Sequence, residues 1–488
     1  MQMTAADLLT LLPLLLTAAV AVVLMLLIAA RRNHTLTCAA TIFGMAFAIL
    51  ALLWQGTGES TQVTPLLIVD GMSWFFSLLL LSVAGFIAVF SYPYLRRLQD
   101  QVEEFYLLLT IATVGAMVMV SSNHFISAFL GMETLSISLY AMVAYPLHSK
   151  QAAKFPLEAG IKYLVLSAVA SALFLFGVAL LYAHSGSLSF TELQLADTGG
   201  VAGTAYTGLA FTLILAGMAF KLSLAPFHIW TPDVYEGAPL PATAFLATTG
   251  KAAMAVLLLR LLLDTGALAL TPVITVLYLL AAVSMVAGNL LALVQDNLKR
   301  LLAYSSIAHM GYLLVAVITA NSATSTLGIE TVGFYLVAYI IMSLGAFGVS
   351  LAVSSGVKEF DFIGDYQGLF WREPWLATLM TTMLLSLAGI PLTAGFIGKL
   401  YVVLAGVQGS QWALLLLLVI GSGIGVYYYL RVIYRMVLPA TVTSDFRIAG
   451  WASIGTYVVL GFLLFMVLLL GIFPSLLMDL LQSLAAGI

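Results

Sequence analysis

Apolar runs of about twenty residues follow one another through this chain with little polar sequence between them. A helix crossing the hydrocarbon of a bilayer needs about 20 such residues. Its backbone N–H and C=O groups must also be satisfied within the segment, so only helices or closed barrels can span. On that rule the sequence predicts fourteen helices, at roughly 8–30, 36–54, 72–92, 105–121, 124–145, 158–183, 207–229, 241–263, 273–294, 300–319, 330–354, 375–403, 411–436 and 452–473. The longest connections, near 184–206 and 355–374, are too short to fold alone. The fold class is therefore an all-α integral membrane protein. The composition agrees: 62% hydrophobic and 8% charged, against roughly 45–50% and about 25% in soluble domains. No basic segment precedes the first run, and Asp7 stands there instead, so residues 8–30 are expected to be retained as a span rather than cleaved.

The basic residues orient the helices. Thirteen of eighteen fall in odd-numbered loops or at their edges: Arg31, Arg32, Arg96, Arg97, Lys150, Lys154, Lys299, Arg300, Lys358, Arg372, Arg431, Arg435 and Arg447. The even-numbered loops hold Arg260 alone, at the end of the eighth helix. Positive charge marks the cytoplasmic side, so the odd loops are expected there and both termini on the opposite face.

Several function classes drop out. The net charge is −3, and no basic tail offers itself to nucleic acid. Gly250-Lys251 and Gly398-Lys399 lack the remaining residues of a phosphate-binding loop. The single cysteine, Cys38, rules out an internal disulfide and a four-cysteine cluster. The six histidines, 34, 124, 148, 184, 228 and 309, are scattered without a pair four apart, so no metal site is expected.

Four lysines remain, and all lie inside predicted spans: Lys162, Lys221, Lys251 and Lys399. Among the acids only Glu133 lies well inside one. A charged side chain at the bilayer centre costs about 2.5–3.5 kcal/mol on insertion scales, and such residues commonly mark ion or proton paths. Glu133, in FISAFLGMETLSISLYAM, and Lys221 form a pair that either moves protons or simply locks two helices. Lys251 lies about ten residues from either end of its span, too deep for its stem to reach water easily. Lys162 sits only about four residues into its helix, where snorkelling competes with a relay role. His309 and Tyr304, in LLAYSSIAHMGYLL, are candidates for bridging the two halves, with Ser305 and Ser306 on the same helix. His228, beside Asp233 and Glu236, is a candidate proton entry, while Glu192 and Asp365 read as solvated loop acids.

Two predicted helices are broken. Pro226 interrupts the seventh, five residues after Lys221, and Pro391 interrupts the twelfth, eight residues before Lys399. Leu222-Ser223-Leu224-Ala225 resembles Leu385-Ser386-Leu387-Ala388, five helices later. Helices 4–8 and 9–13 then form two repeats, and an odd helix count inverts the second. Broken helices at matching places in inverted repeats point to a transport site. The implied divisions are residues 1–104 (three helices), 105–263 (first repeat), 273–436 (second repeat) and 437–488 (the last helix).

The stretches FKLSLAPFHIWTPDVYEGAP, LAYSSIAHMGY and SLAGIPLTAGFIGKLYV resemble the antiporter-like membrane subunits of respiratory complex I, and the likeness covers nearly the whole chain. Some members carry glutamate where this chain has Lys399. Others extend past the last helix into a lateral helix, which is not expected here. The resemblance implies a proton-translocating subunit of a bacterial NADH–quinone oxidoreductase. Glu133 and Lys221 would form the pair, Lys251 the central relay, Lys399 the terminal one, Lys162 an auxiliary lysine and His309 a bridge. It also implies the bacterial inner membrane, with periplasmic termini, lipids and other membrane subunits around the chain. FMN, iron–sulfur clusters and quinone would belong to partner subunits, including the peripheral NADH-oxidising arm. The competing reading is a subunit of a multi-subunit sodium/proton antiporter, which needs no redox partner.

Overall fold

The computed structural model describes residues 5–56, 60–96, 98, 101–145, 155–193, 201–320, 327–354, 359–439 and 454–485. The membrane helices run in chain order as α1 (Leu12–Ala30), α2 (His34–Gln55), α3 (Gly71–Leu95), α4 (Glu103–Val120), α5 (Phe125–Ala144), α6 (Pro156–Ser185), α7 (Val201–Leu222), α8 (Leu240–Asp264), α9 (Thr271–Leu293), α10 (Leu298–Thr319) and α11 (Leu327–Val353). Next come α12a (Pro374–Ala388), α12b (Ala394–Gln408), α13 (Trp412–Val437) and α14 (Ile454–Ile472). Among the described residues thirteen of these are long and apolar enough to cross a bilayer singly, and α12a and α12b are shorter apolar helices of 15 residues each. A short hairpin, Thr61–Gln62 with Ile68–Val69, is the one departure from helix that forms a sheet among the described residues.

α8, α10 and α11 are buried along nearly their whole length, while α1 is mostly exposed. The centre of the molecule is therefore the group of helices that carry Lys251 and His309. Helix pairs close up through glycine. A Cβ on Gly115 of α4 would lie 2.6 Å from the Leu135 nitrogen of α5, and one on Gly288 of α9 would lie 2.6 Å from the Ala308 nitrogen of α10. Small residues let backbones approach where lipid supplies no hydrophobic drive.

The seventh helix is shorter than the sequence predicts. α7 stops at Leu222, and residues 223–229 leave the helix before a separate short helix, Trp230–Gly237. Ser223 takes φ 63°, and the Ala225 N–H donates to Ser284 Oγ of α9 at 2.8 Å. Pro226 supplies the reason, since the residue before a proline is disfavoured in helix. α12 breaks between Gly389, at φ 86°, and Ala394. α8 holds a π-helical turn, Leu246–Gly250, directly before Lys251; no residue pattern announces it.

The charge map also differs from expectation. Arg260 is not a loop residue: it is 2% exposed, and both its terminal nitrogens donate to Asp70 at 2.8 Å. Asp70 in turn caps α3 in a capping box with Ser73. Lys299 is likewise buried, against Glu359 and Asp361, and donates to the carbonyls of Glu236 and Ala238 at 3.1 Å. Glu330 is buried as well. Buried charge therefore extends beyond the lysines and the glutamate inside the spans to Arg260, Asp70, Lys299, Glu359, Asp361 and Glu330, which lie at helix ends and in connections. Arg97, Lys150, Lys154, Lys358 and Arg447 lie outside the described residues.

Two outcomes are expected. A Cβ on Gly395 would sit 1.9 Å from the Ser386 carbonyl oxygen, so Gly395→Ala forces α12a and α12b apart and lowers the yield of folded protein in detergent. Arg260→Ala strands Asp70 and is expected to cost about 3–5 kcal/mol, read from denaturant unfolding, with the Asp70→Leu/Arg260→Leu double variant losing less.

Candidate proton-relay site

Each helix break has a buried lysine beside it, and the two lysines are met differently. Lys221 lies in the last turn of α7. Its Nζ donates to Ser136 Oγ of α5 at 2.6 Å and to Ser167 Oγ of α6 at 2.5 Å, and stands 5.9 Å from the centre of the Tyr140 ring. Lys399 belongs to α12b but reaches back across the break. Its Nζ donates to the carbonyls of Leu387 (3.0 Å) and Ala388 (2.8 Å), the last residues of α12a, and to Ser422 Oγ of α13 at 2.9 Å. The final carbonyls of a helix have no partner within it and carry the negative end of the dipole. The Lys399 ammonium therefore sits at the C-terminal end of α12a, whereas the Lys221 ammonium is met by two serines of neighbouring helices.

Glu133 completes the first of these settings. Its Oε1 accepts from Ser171 Oγ at 2.5 Å and lies 3.8 Å from Lys221 Nζ. The lysine side chain is 6% exposed and the glutamate 23%, so the pair is open on the carboxylate side.

Lys251 sits between them in a different setting. It is 1% exposed and donates to Ser306 Oγ of α10 at 2.6 Å, with the Tyr235 ring centre 5.8 Å away. Neither Lys251 nor Lys399 has an acidic ion-pair partner among the described residues. Both lie within electrostatic reach of the His309 imidazole. His309 Nδ1 is 2.7 Å from the Tyr335 hydroxyl, and Nε2 is 3.4 Å from that of Tyr429, which also bonds Ser305. Tyr335 packs against Gly398, next to Lys399. No hydrogen bond joins Lys221 to Lys251 among the described residues, and the buried hydroxyls of Tyr235, Tyr339 and Thr249 have no protein partner.

Three expected residues stand elsewhere. Lys162 is 42% exposed, paired with Glu158 at 2.7 Å and Asp233 at 3.0 Å, so its stem reaches the helix end as snorkelling would have it. Tyr304 is half-buried on the far side of α10 from His309, edge-on to His228 at 6.4 Å between ring centres. These groups border an ion network in which Arg300 binds Asp233 (2.7 Å) and Glu236 (3.0 Å). Burial opposes ionisation of Asp233, but Arg300 and Lys162 outweigh it and hold the carboxyl below the usual range. Reading the sequence missed Tyr335, Tyr429, Ser167, Ser171 and Ser422. Ser136, three residues after Glu133 on one helix face, was within reach of pattern reading.

Comparison with known proteins shows the family. The family described as NADH:quinone oxidoreductase/Mrp antiporter, TM, matches residues 122–425, more than half of the chain. The chain is 48% identical over 478 residues to NADH-quinone oxidoreductase subunit N of Methylococcus capsulatus, covering 98% of this chain and 95% of that protein. It superposes on a chain of respiratory complex I from Thermus thermophilus, solved with bound Aureothin, with a TM-score of 0.80, 33% identity, and coverage of 96% and 98%. A chain of the Mrp complex from Dietzia shares the fold, with a TM-score of 0.86 at 20% identity over 99% and 98% of the two chains. Interrupted helices, buried lysines and full-length similarity together establish that the chain belongs to the NADH:quinone oxidoreductase/Mrp antiporter transmembrane family, as an antiporter-like membrane subunit of the complex I type.

Proposed function

We propose that this chain is a proton-translocating membrane subunit of NADH-quinone oxidoreductase, equivalent to subunit N. The observation that carries the reading is the full-length 48% identity to such a subunit, joined to two buried lysines held by hydroxyls and carbonyls rather than by acids. An ammonium partnered only by neutral groups can give up its proton without stranding a carboxylate. Glu133 with Lys221, then Lys251, His309 and Lys399 form the relay in this reading. Waters between the unpartnered hydroxyls of Tyr235, Tyr339 and Thr249 bridge the gap beside Lys251. Loss or gain of charge at one member changes the affinity of the next for its proton. Moving each charge against about 100 mV requires roughly 2.3 kcal/mol, supplied by redox chemistry in other subunits that carry the FMN, iron–sulfur clusters and quinone.

The glycine contacts of α4 on α5 and of α9 on α10, and the lysines at two helix breaks, support reading residues 105–263 and 273–436 as inverted repeats. The distribution of lysine and arginine supports placing the termini on the periplasmic face of a bacterial inner membrane. Lys162, His228 and Tyr304 stand at the cytoplasmic mouth in this orientation, as auxiliary groups. A sodium/proton antiporter would share the fold without the redox partner. Co-purification with flavin- and iron–sulfur-bearing subunits decides for the pump, and purification with small membrane subunits alone decides against it.

In the assembled complex, Lys251→Ala and Lys399→Ala are expected to lower proton translocation by about tenfold or more, measured in vesicles alongside NADH-driven quinone reduction. Proton translocation unchanged in both would sink the relay. Lys162→Ala, which removes a half-exposed ion pair of less than about 1 kcal/mol, is expected to leave assembly intact and to lower translocation less than Lys251→Ala.

A further inference from the structure

The face opposite the lysine- and arginine-rich loops buries an acid that the relay does not use. Glu330, in the first turn of α11, is 4% exposed. Its one hydrogen bond among the described residues comes from Gln482 Nε2, at 3.3 Å. Gln482 belongs to the helix Ser475–Ala485, which follows α14 and lies across the ends of α3 and α11 through Leu484 on Gly71 and Leu481 on Gly333. The sequence offers this face a single basic residue, Arg260, and both its terminal nitrogens are bound to Asp70. The other charged groups nearby are acids: Asp70 on α3, Asp264 on α8, and Asp479 on the covering helix. Glu330 is thus a buried acid without a countercharge. A polar network kept for packing satisfies its members, and a buried ion pair holds its charge through a partner. Glu330 has one amide donor and no cation among the described residues.

Its surroundings reach α12b, the helix that carries Lys399. Tyr401, two residues along α12b from that lysine, lies within electrostatic reach of both Glu330 and Asp479. Its ring meets Phe334, one turn of α11 from Glu330, with centres 5.2 Å apart. On the other side Glu330 borders a cavity of about 20 Å³ that Leu481 and Leu484 of the covering helix help to close, room for about one water molecule. From these positions we infer that Glu330 is a proton-transferring residue, taking protons that leave the Lys399 end of the relay and releasing them beneath the helix Ser475–Ala485. The proton moves from the Lys399 ammonium through water to the Glu330 carboxylate, and from the carboxylic acid to water on the outer face. Each transfer leaves its donor ready for the next. The assignment rests on the relay proposed above.

The test uses the whole complex in sealed vesicles, measuring NADH-driven quinone reduction and proton translocation separately for Glu330→Gln, Glu330→Asp and Lys251→Ala. Glutamine keeps the size of the side chain and a carbonyl for Gln482 but cannot carry a proton. Glu330→Gln is expected to lower protons moved per NADH by about twofold or more, with assembly unchanged. Glu330→Asp should restore transfer with a displaced pH profile. If Glu330→Gln translocates normally while Lys251→Ala does not, the assignment of Glu330 is overturned and the relay stands. If neither variant changes translocation, the relay fails and takes this assignment with it. Should Glu330→Gln not assemble, the Asp variant decides: a displaced pH profile supports proton transfer at this position, and an unchanged one overturns it.

Discussion

An ammonium group taken out of water has to be met by lone pairs, and the way this protein meets its lysines separates two kinds of buried charge. Arg260 is met by Asp70, and Lys299 by Glu359 and Asp361. Those charges are locked, since removing one proton would leave its partner uncompensated in a medium of low dielectric. Lys251 and Lys399 are met by serine hydroxyls and by the carbonyls of an ended helix. Such partners solvate the charged form and tolerate its loss. Lys221 lies between the two cases, held by two serines with Glu133 at 3.8 Å.

The interrupted helices follow from the same requirement. An unbroken helix keeps all its mid-membrane carbonyls to itself and has none to offer a cation. Ending α7 at Leu222 and α12a at Ala388 frees carbonyls and a dipole end in the interior. Irregular backbone is tolerated at that depth only where protein or a polar cavity covers it. The break after Leu222 meets this condition through Ser284 of α9, and the break after Ala388 through Ser386 and the lysine itself. Of the two breaks, the second offers its carbonyls directly to a lysine, while the first stands beside a lysine held by serines.

The locked charges form a frame around the row. On one face the short helix Trp230–Gly237 is tied by Asp233 and Glu236 to Arg300, and its following carbonyls to Lys299. This joins the segment after α7 to the start of α10. On the other face Asp70 both caps α3 and grips α8 through Arg260. The middle of the molecule, where α8, α10 and α11 are almost wholly buried, is held from both ends by ion pairs. Its centre is left to hydroxyls and imidazole.

Much of this was legible in the residues themselves. Span number, and the presence of Lys221, Lys251, Lys399 and Glu133 deep in apolar runs, follow from hydropathy, because lipid forbids unpaired backbone and penalises charge wherever the chain folds. Both prolines announced their breaks for a local reason, the missing N–H. Partnership was not legible. Ser167, Ser422, Tyr335 and Tyr429 are ordinary helix residues until another helix brings a lysine or a histidine against them. Lys162 lay inside an apolar run, yet its long stem carries the charge to the helix end. Arg260 lay near a helix end, yet Asp70 draws it inward. Local sequence sets what each segment costs in a bilayer, and that alone decides which helices form. Which charges are held fast and which are free to lose a proton depends on atoms from distant helices within about 3 Å, and only the packed structure supplies them.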